Sequence, residues 1–269
     1  MALSGGRNNY VFRFNGDPDA VCIKIYASSD GTGLLQEWTA LHAVAGTRIA
    51  PVPIRRYTED WLPAIVMSWI PGEALNELEL PLSILSQMVE ADEIIQSCTL
   101  PRPLSYISRG HGLANMLRRV LMIWPKELAR EPDPFSQELL KRVRRWEGSN
   151  IRELLHHRGK RVLSHGDGNA LNWHSVGVGA LWCVDFEFAG WSYPEFDAAE
   201  IVEHFSMRRN SEALRSIYRE RFSRDAASIR FFEVCCELVA IRWLAVLWRH
   251  RVERSEDYNA QLRRALKIL

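Results

Sequence analysis

Apolar and polar residues follow two rhythms along this chain, and the change between them divides it. Tyr10-Val11-Phe12-Arg13-Phe14 and Val21-Cys22-Ile23-Lys24-Ile25-Tyr26 are rich in β-branched and aromatic residues. The intervening Asn15-Gly16-Asp17-Pro18-Asp19 carries turn chemistry, so the two runs predict a β-hairpin. Leu34 to Val44 has helical spacing and stops at Gly46. Ile54 to Tyr57 and Ala64 to Trp69 predict a second pair of strands, closed by Pro71-Gly72. Beyond Pro81 the period lengthens, predicting helices over Leu82 to Cys98, Leu113 to Trp124, Phe135 to Trp146 and Ile151 to His157. A hairpin interrupts them: Leu171-Asn172-Trp173 and Trp182-Cys183-Val184-Asp185 flank the turn Val176-Gly177-Val178-Gly179. Helices resume from Phe196. The expected class is α+β, with a small β-rich lobe over residues 1–70 that carries one helix, a hinge near Met67 to Gly72, and a larger, mostly helical lobe over 71–269.

Composition changes this picture little. With 269 residues the chain can bury a substantial core, and a formal net charge of +1 gives no reason to expect nucleic acid or a membrane surface as partner. The apolar run from Leu238 to Trp248 is interrupted by Arg242 and is too short to span a bilayer. Met1 to Gly6 has no apolar signal-peptide core. Cys22, Cys98, Cys183, Cys235 and Cys236 are odd in number and lack ligand-like spacing, so they read as reduced thiols. A cytoplasmic location is the expectation that follows.

The chemistry lies in two short runs, Ser164-His165-Gly166-Asp167-Gly168-Asn169-Ala170-Leu171-Asn172 and Val184-Asp185-Phe186-Glu187. An aspartate, an asparagine five positions on, and a second aspartate after a ribbon form the order of groups that a phosphoryl-transfer site uses. Asp167 is placed to accept a proton from an attacking hydroxyl. Asn172 and Asp185 are hard oxygen donors suited to magnesium beside nucleotide phosphates. In an extended segment Glu187 shares a face with Asp185, as a supporting or second-metal carboxylate or as a solvated edge residue. Lys24 lies mid-strand among core-facing residues, where its charge requires a partner, and Glu37 on the next helix is the natural one. Each type also has a plain alternative: an aspartate bonding its own turn, a strand-end cap, a solvent-facing lysine.

Together these residues resemble the aminoglycoside phosphotransferase and choline kinase family of small-molecule kinases. The matching segments are Ser4-Gly5-Gly6-Arg7-Asn8-Asn9, Lys24, Glu37, Met67-Ser68-Trp69-Ile70-Pro71-Gly72, His165-Gly166-Asp167 with Asn172, Asp185-Phe186-Glu187, and Phe196-Asp197-Ala198-Ala199-Glu200. The resemblance implies a protein-kinase-like bilobal fold and an ATP- and Mg2+-dependent O-phosphotransferase, with GTP open as donor. It implies Asp167 as catalytic base, with His165 packing under the loop and bonding backbone. It implies Asn172, Asp185 and Glu187 as metal residues, and Lys24 and Glu37 on the nucleotide phosphates. A turn at Ser4, Gly5 and Gly6 would approach those phosphates through backbone N–H groups, and Ser68, Trp69 and Ile70 would meet adenine through theirs.

The acceptor is expected to be a small hydroxyl compound: an aminoglycoside, an amino sugar, a choline-like molecule or another natural-product alcohol. Asp197, Glu200 and Glu203 are the candidate acceptor residues. Glu200, Glu203 and His204 share a helical face that would suit an amine, whereas the following Arg208, Arg209, Arg215, Arg219, Arg221 and Arg224 would suit an anion or simply face solvent. The runner-up readings are a protein-kinase-like regulator and a catalytically silent nucleotide-binding protein. The residues alone leave a resistance, biosynthetic or salvage role open.

Overall fold

The computed structural model describes the chain apart from residues 1, 4–8, 17–18, 28–31, 60–62, 77, 100, 103, 105–111 and 177–180. Contacts gather into two units, Met1–Arg109 with Arg161–Ser192, and Gly110–Lys160 with Tyr193–Leu269.

The first unit is built on an antiparallel sheet of β1 (Ala2–Leu3), β2 (Asn9–Asn15), β3 (Ala20–Tyr26), β4 (Pro53–Tyr57) and β5 (Ala64–Ser68), in the order β1-β2-β3-β5-β4. Both predicted strand pairs are present. Lys24 sits on the central strand, opposite Val11 on β2 and Ile65 on β5. The helix α1 (Thr32–Val44) buries Leu34, Glu37, Leu41 and Val44, a stripe with the three- and four-residue steps of one helix face. A glutamate on that stripe is buried by the same periodicity that buries the leucines. Gly46, at φ 88°, ends the turn after α1 in a conformation that favours glycine.

Beyond β6 (Glu73–Ala74) and the helix α2 (Leu82–Ser97), the chain returns to this unit as β7 (Val162–Ser164), β8 (Trp173–Ser175), β9 (Leu181–Cys183) and β10 (Gly190–Ser192). They form two small antiparallel sheets, β10-β7 and β6-β8-β9. The hairpin predicted over 171–185 is shorter and displaced: Ala170–Asn172 is a 3₁₀ turn, and the strand runs from Trp173 to Ser175. The periodicity did not reveal β6, β7 or β10, because strands of two or three residues are too short to show a period.

In the second unit the helix Ala226–Trp248 is largely apolar and buries Phe231, Phe232, Leu238, Ile241 and Leu244 among others. Asp225 caps it, accepting from the Ala227 N–H at 3.0 Å. The two helices expected over 135–146 and 151–157 are one, Pro134–His156. Gly148 weakens its middle, but the buried stripe Leu139, Val143, Trp146, Asn150 and Leu154 continues through it. Trp146 Nε1 donates to Glu237 at 2.7 Å, and Arg230 donates to Asn150 Oδ1 at 2.8 Å, so both halves are tied to the Ala226–Trp248 helix. Tertiary burial therefore overrides the local break.

The helix predicted from Leu113 extends to Leu128, with a π-type stretch at Arg118–Ile123. Pro125 has no N–H to give Leu121, and Arg144 donates to that carbonyl instead at 3.1 Å. All five cysteines are free thiols, and no described helix is long and apolar enough to cross a membrane.

Gly72 lies at φ 101°, and a Cβ there would come 2.2 Å from the Ser175 carbonyl oxygen, because β6 pairs directly with β8. Gly72→Ala should destabilise the fold by about 1–3 kcal/mol or more, from backbone strain and displacement of the β6–β8 pairing. Urea unfolding of the two proteins measures it; an unchanged midpoint would contradict this packing.

Candidate active site

The β3 and α1 elements aim two opposite charges at one point. Lys24 Nζ lies 2.6 Å from Glu37 Oε2, 2.5 Å from Asp185 Oδ1 and 3.4 Å from Glu187 Oε2. Lys24 is 4% exposed and Glu37 1% exposed. Glu37 does more than pair with the lysine. Its Oε2 also accepts from the Tyr26 hydroxyl at 2.5 Å, and its Oε1 accepts from the Phe186 N–H at 3.3 Å. Gln36, beside it, donates to the Ala189 carbonyl at 3.1 Å, so α1 fixes the segment that carries Asp185 and Glu187. Asn9 Nδ2 donates to Glu187 Oε2.

Two loops lie side by side behind this cluster. The Val184 N–H donates to the Asn172 carbonyl at 2.8 Å, holding the Asn172 turn beside Asp185. His165 bridges the same loops, with Nε2 2.8 Å from the Val184 carbonyl and Nδ1 beside the backbone of Asp167. Nδ1 lies 2.9 Å from the Asp167 carbonyl and 3.3 Å from its N–H, so one ring touches the backbone of both loops. This is the backbone-bonding role expected for His165. Asp167 Oδ1 accepts from the Asn169 N–H at 3.1 Å, the turn bond that an aspartate in a Gly-Asn loop makes.

Asp185 occupies the left-handed region at φ 66°, and Phe186–Phe188 is a 3₁₀ turn. Glu187 therefore does not follow from the alternation of an extended segment, which was the sequence argument for it. The sharp turn brings Glu187 back to Lys24 by a different route. A non-glycine residue held at positive φ marks a strained position of the kind that gathers at functional sites.

Burial alone would lower the Lys24 pKa, but the charges of Glu37, Asp185 and Glu187 outweigh it and hold the ammonium well above the ordinary lysine range. Burial raises Glu187, and repulsion from Asp185 and Glu37 adds to this against the opposing pull of Lys24. Burial and the Glu37 charge push the Tyr26 phenol well up, so it stays protonated and donates. The same causes push the Cys22 thiol up to about 11.

Glu37, Asp185 and Glu187 offer carboxylate oxygens within 4.8 Å of one another. Asn172 is buried, and its Nδ2 makes no hydrogen bond. The clustered hard oxygens of Glu37, Asp185 and Glu187 fit a divalent cation such as magnesium.

The other expected site residues divide. Ser4, Gly5 and Gly6 lie outside the described residues. At the segment expected to meet adenine, the Ser68 N–H donates to the Val52 carbonyl at 2.9 Å and the Trp69 N–H to the Ala20 carbonyl at 3.2 Å. Those two N–H groups serve the first unit's own structure, and Ile70 is buried. Glu203 is held by Arg264 through two bonds of 2.7 Å and by Arg215 at 3.2 Å. That pairing offsets the charge that was to receive an amine. Asp197 and Glu200 are buried on the same helix, Pro194–Glu203. Tyr26 was passed over by sequence reasoning, and Asn9 appeared there only within the matching segment at residues 4–9, without a role of its own. Tyr26 stands two positions after Lys24, on the same face of β3, and Asn9 is its hairpin partner.

A model of the phosphotransferase enzyme family matches residues 1–232. The chain belongs to this family. It is therefore a phosphotransferase, and the Lys24–Glu37–Asp185–Glu187 cluster lies within the matched region. Among solved structures of similar fold is a choline/ethanolamine kinase family protein from Mesorhizobium loti, at 17% identity and TM-score 0.66, with 99% of this chain and 86% of that one covered. Ethanolamine kinase from Plasmodium vivax aligns at 14% identity and TM-score 0.64, over 99% of this chain and 81% of that one. A thermostable mutant of the aminoglycoside phosphotransferase APH(4)-Ia, in a ternary complex with AMP-PNP and hygromycin B, aligns at 12% and TM-score 0.68, over 100% and 92%. These similarities show a shared fold. Among curated proteins, none matches the chain.

With its thiol pushed up to about 11, Cys22 of this phosphotransferase should resist alkylation in the native state. At pH 8 only about one thiol in a thousand is the reactive thiolate. Peptide mapping after iodoacetamide treatment should show Cys22 unlabelled near neutral pH and labelled once unfolded. Rapid native labelling at pH 8 would contradict the site's electrostatics.

Proposed function

We propose that this phosphotransferase is a small-molecule kinase, moving the terminal phosphoryl group of a nucleoside triphosphate to a hydroxyl of a small acceptor. ATP is the expected donor, with magnesium as its companion ion and GTP as the alternative. The observation that carries the reading is the convergence of Lys24, Glu37, Asp185 and Glu187 on one point, with Asn172 and Asp167 bonded into the adjoining loops.

In this reading Asp167 is the base. As the acceptor oxygen attacks phosphorus, the Asp167 carboxylate takes the hydroxyl proton, the new O–P bond forms, and the bond to the nucleoside diphosphate breaks. His165 keeps Asp167 and Val184 in fixed relation through its two ring nitrogens. Lys24 directs its charge to the phosphates, and Glu37, steadied by Tyr26 and the Phe186 N–H, holds the ammonium in line. Asn172, Asp185 and Glu187 would hold the magnesium, whose charge offsets that of the phosphates. Residues 1–70 serve as the nucleotide lobe and 71–269 carry the catalytic loop and the acceptor helices. Adenine recognition at Ser68 to Ile70 falls to groups other than the Ser68 and Trp69 N–H donors.

Asp197 and Glu200 remain the acceptor residues, and Glu203 supports their helix through Arg264 and Arg215. A neutral or amine-bearing alcohol is favoured, because Asp197 and Glu200 are buried carboxylates, whereas Arg215 of the following run is already paired with Glu203 and the exposed Arg219 pair contributes about 0–1 kcal/mol. A screen with ATP and magnesium over aminoglycosides, choline, amino sugars and homoserine-like alcohols tests the reading by ADP release and product mass. Phosphorylation of polypeptide but of no small alcohol would overturn it.

Asp167→Ala should lower turnover by about a hundred- to ten-thousand-fold, the usual general-base contribution, with nucleotide affinity nearly unchanged. Steady-state kinetics and nucleotide titration separate the two effects. A mutant with near-normal kcat would remove Asp167 from the base role.

A further inference from the structure

The buried cluster contains more negative charge than Lys24 offsets. Glu37, Asp185 and Glu187 bring three carboxylates to one ammonium, and all three lie within 3.4 Å of Nζ. Their oxygens also lie within 4.8 Å of one another, close enough to share a single cation. Lys24 thus lies among the same oxygens that would hold a divalent ion. Two cations crowded onto one set of oxygens repel each other at short range in a partly buried setting, where screening is weak.

We propose that Lys24 is an internal stand-in for the divalent cation: its ammonium holds the acidic trio together before nucleotide arrives and keeps free metal out. Nucleotide phosphates then draw the ammonium away from Asp185 and Glu187, and metal and nucleotide enter together. Glu37 stays with Lys24 throughout, because Tyr26 and the Phe186 N–H fix it from the side of β3 and the 3₁₀ turn. Asp185, whose side chain is 37% exposed, is the partner that exchanges. The inference rests on the metal reading given under Proposed function and adds an order of events to it. It also has a counterintuitive consequence. Loss of the lysine should create metal binding rather than abolish it.

The test is Mn2+ binding to the full chain, followed by electron paramagnetic resonance and by the thermal shift that the ion produces. Wild type, Lys24→Met and Lys24→Arg are compared without nucleotide, and wild type is also measured with AMP-PNP. Without nucleotide, Lys24→Met should bind Mn2+ about tenfold or more tightly than wild type, since a competing charge has been removed. Lys24→Arg, which keeps the charge, should stay near wild type. Adding Asp185→Asn to Lys24→Met should cancel the gain. If Lys24→Met does not fold by itself, Mn2+ should restore its folded circular dichroism signal where the same ionic strength of NaCl does not.

Equal Mn2+ affinity of Lys24→Met and wild type overturns the inference, as does an unfolded variant that Mn2+ leaves unfolded. If wild type gains Mn2+ with AMP-PNP while Lys24→Met gains nothing without it, the metal site stands and only the stand-in role falls. If no form binds Mn2+ even with AMP-PNP, the metal assignment falls and this inference with it.

Discussion

The ion cluster around Lys24 is the constraint on which the rest of the first unit depends. Moving an isolated charge into a protein interior costs about several kcal/mol per ion even after relaxation, so a buried lysine persists only where opposite charge is brought to it. Here that charge comes from three places in the chain: α1, the left-handed turn at Asp185 and the 3₁₀ turn at Glu187. The sheet, its helix and the 184–189 loop must therefore form together. The cluster holds them in one geometry, and the phosphoryl-transfer role proposed for it would depend on such fixed positioning and charge.

Hydrogen bonding extends that geometry outward. Glu37 spends both oxygens, on Lys24 and Tyr26 from one side and on the Phe186 N–H from the other. His165 spends both nitrogens on the two loops. Each group is thus oriented by at least one neighbour that is itself packed, as in the contact of the His165 ring with Phe186 at 4.7 Å. The second unit follows a similar logic with different parts. Glu203 is buried and satisfied by Arg264 and Arg215, joining the helices Pro194–Glu203, Ser211–Phe222 and Ser255–Ala265. A glutamate that looked like a receptor for an external amine instead receives the chain's own guanidinium groups.

The candidate site residues could be singled out in the sequence because their types and order are restrictive. Asp167, Asn172 and Asp185 announce phosphoryl transfer by spacing, and Lys24 announces a partner by its place among core residues. The sheet strands and longer helices were legible because their apolar periods extend over several turns or pleats. What escaped was short or nonlocal. Strands at Val162–Ser164 and Gly190–Ser192 exist because they pair with each other, and nothing within three residues says so. Helix Pro134–His156 passes through Gly148 because Trp146 and Asn150 are held by residues some eighty to ninety positions away.

By itself, then, the sequence determined the α+β class, the hairpin that carries Lys24, the helix face that buries Glu37, and the residue types of the candidate site. These are matters of local period and residue type. Tertiary structure alone decided which groups meet. Glu187 reaches Lys24 because Asp185 adopts φ 66°, not because of strand alternation. Tyr26 and Asn9 join the site because β3 and β2 pair in one register, with Asn9 opposite Tyr26. Glu203 turns inward because arginines from two distant helices reach it. The reason is the same in each case: a carboxylate in a sequence is only a charge, and burial with a particular partner fixes what that charge does.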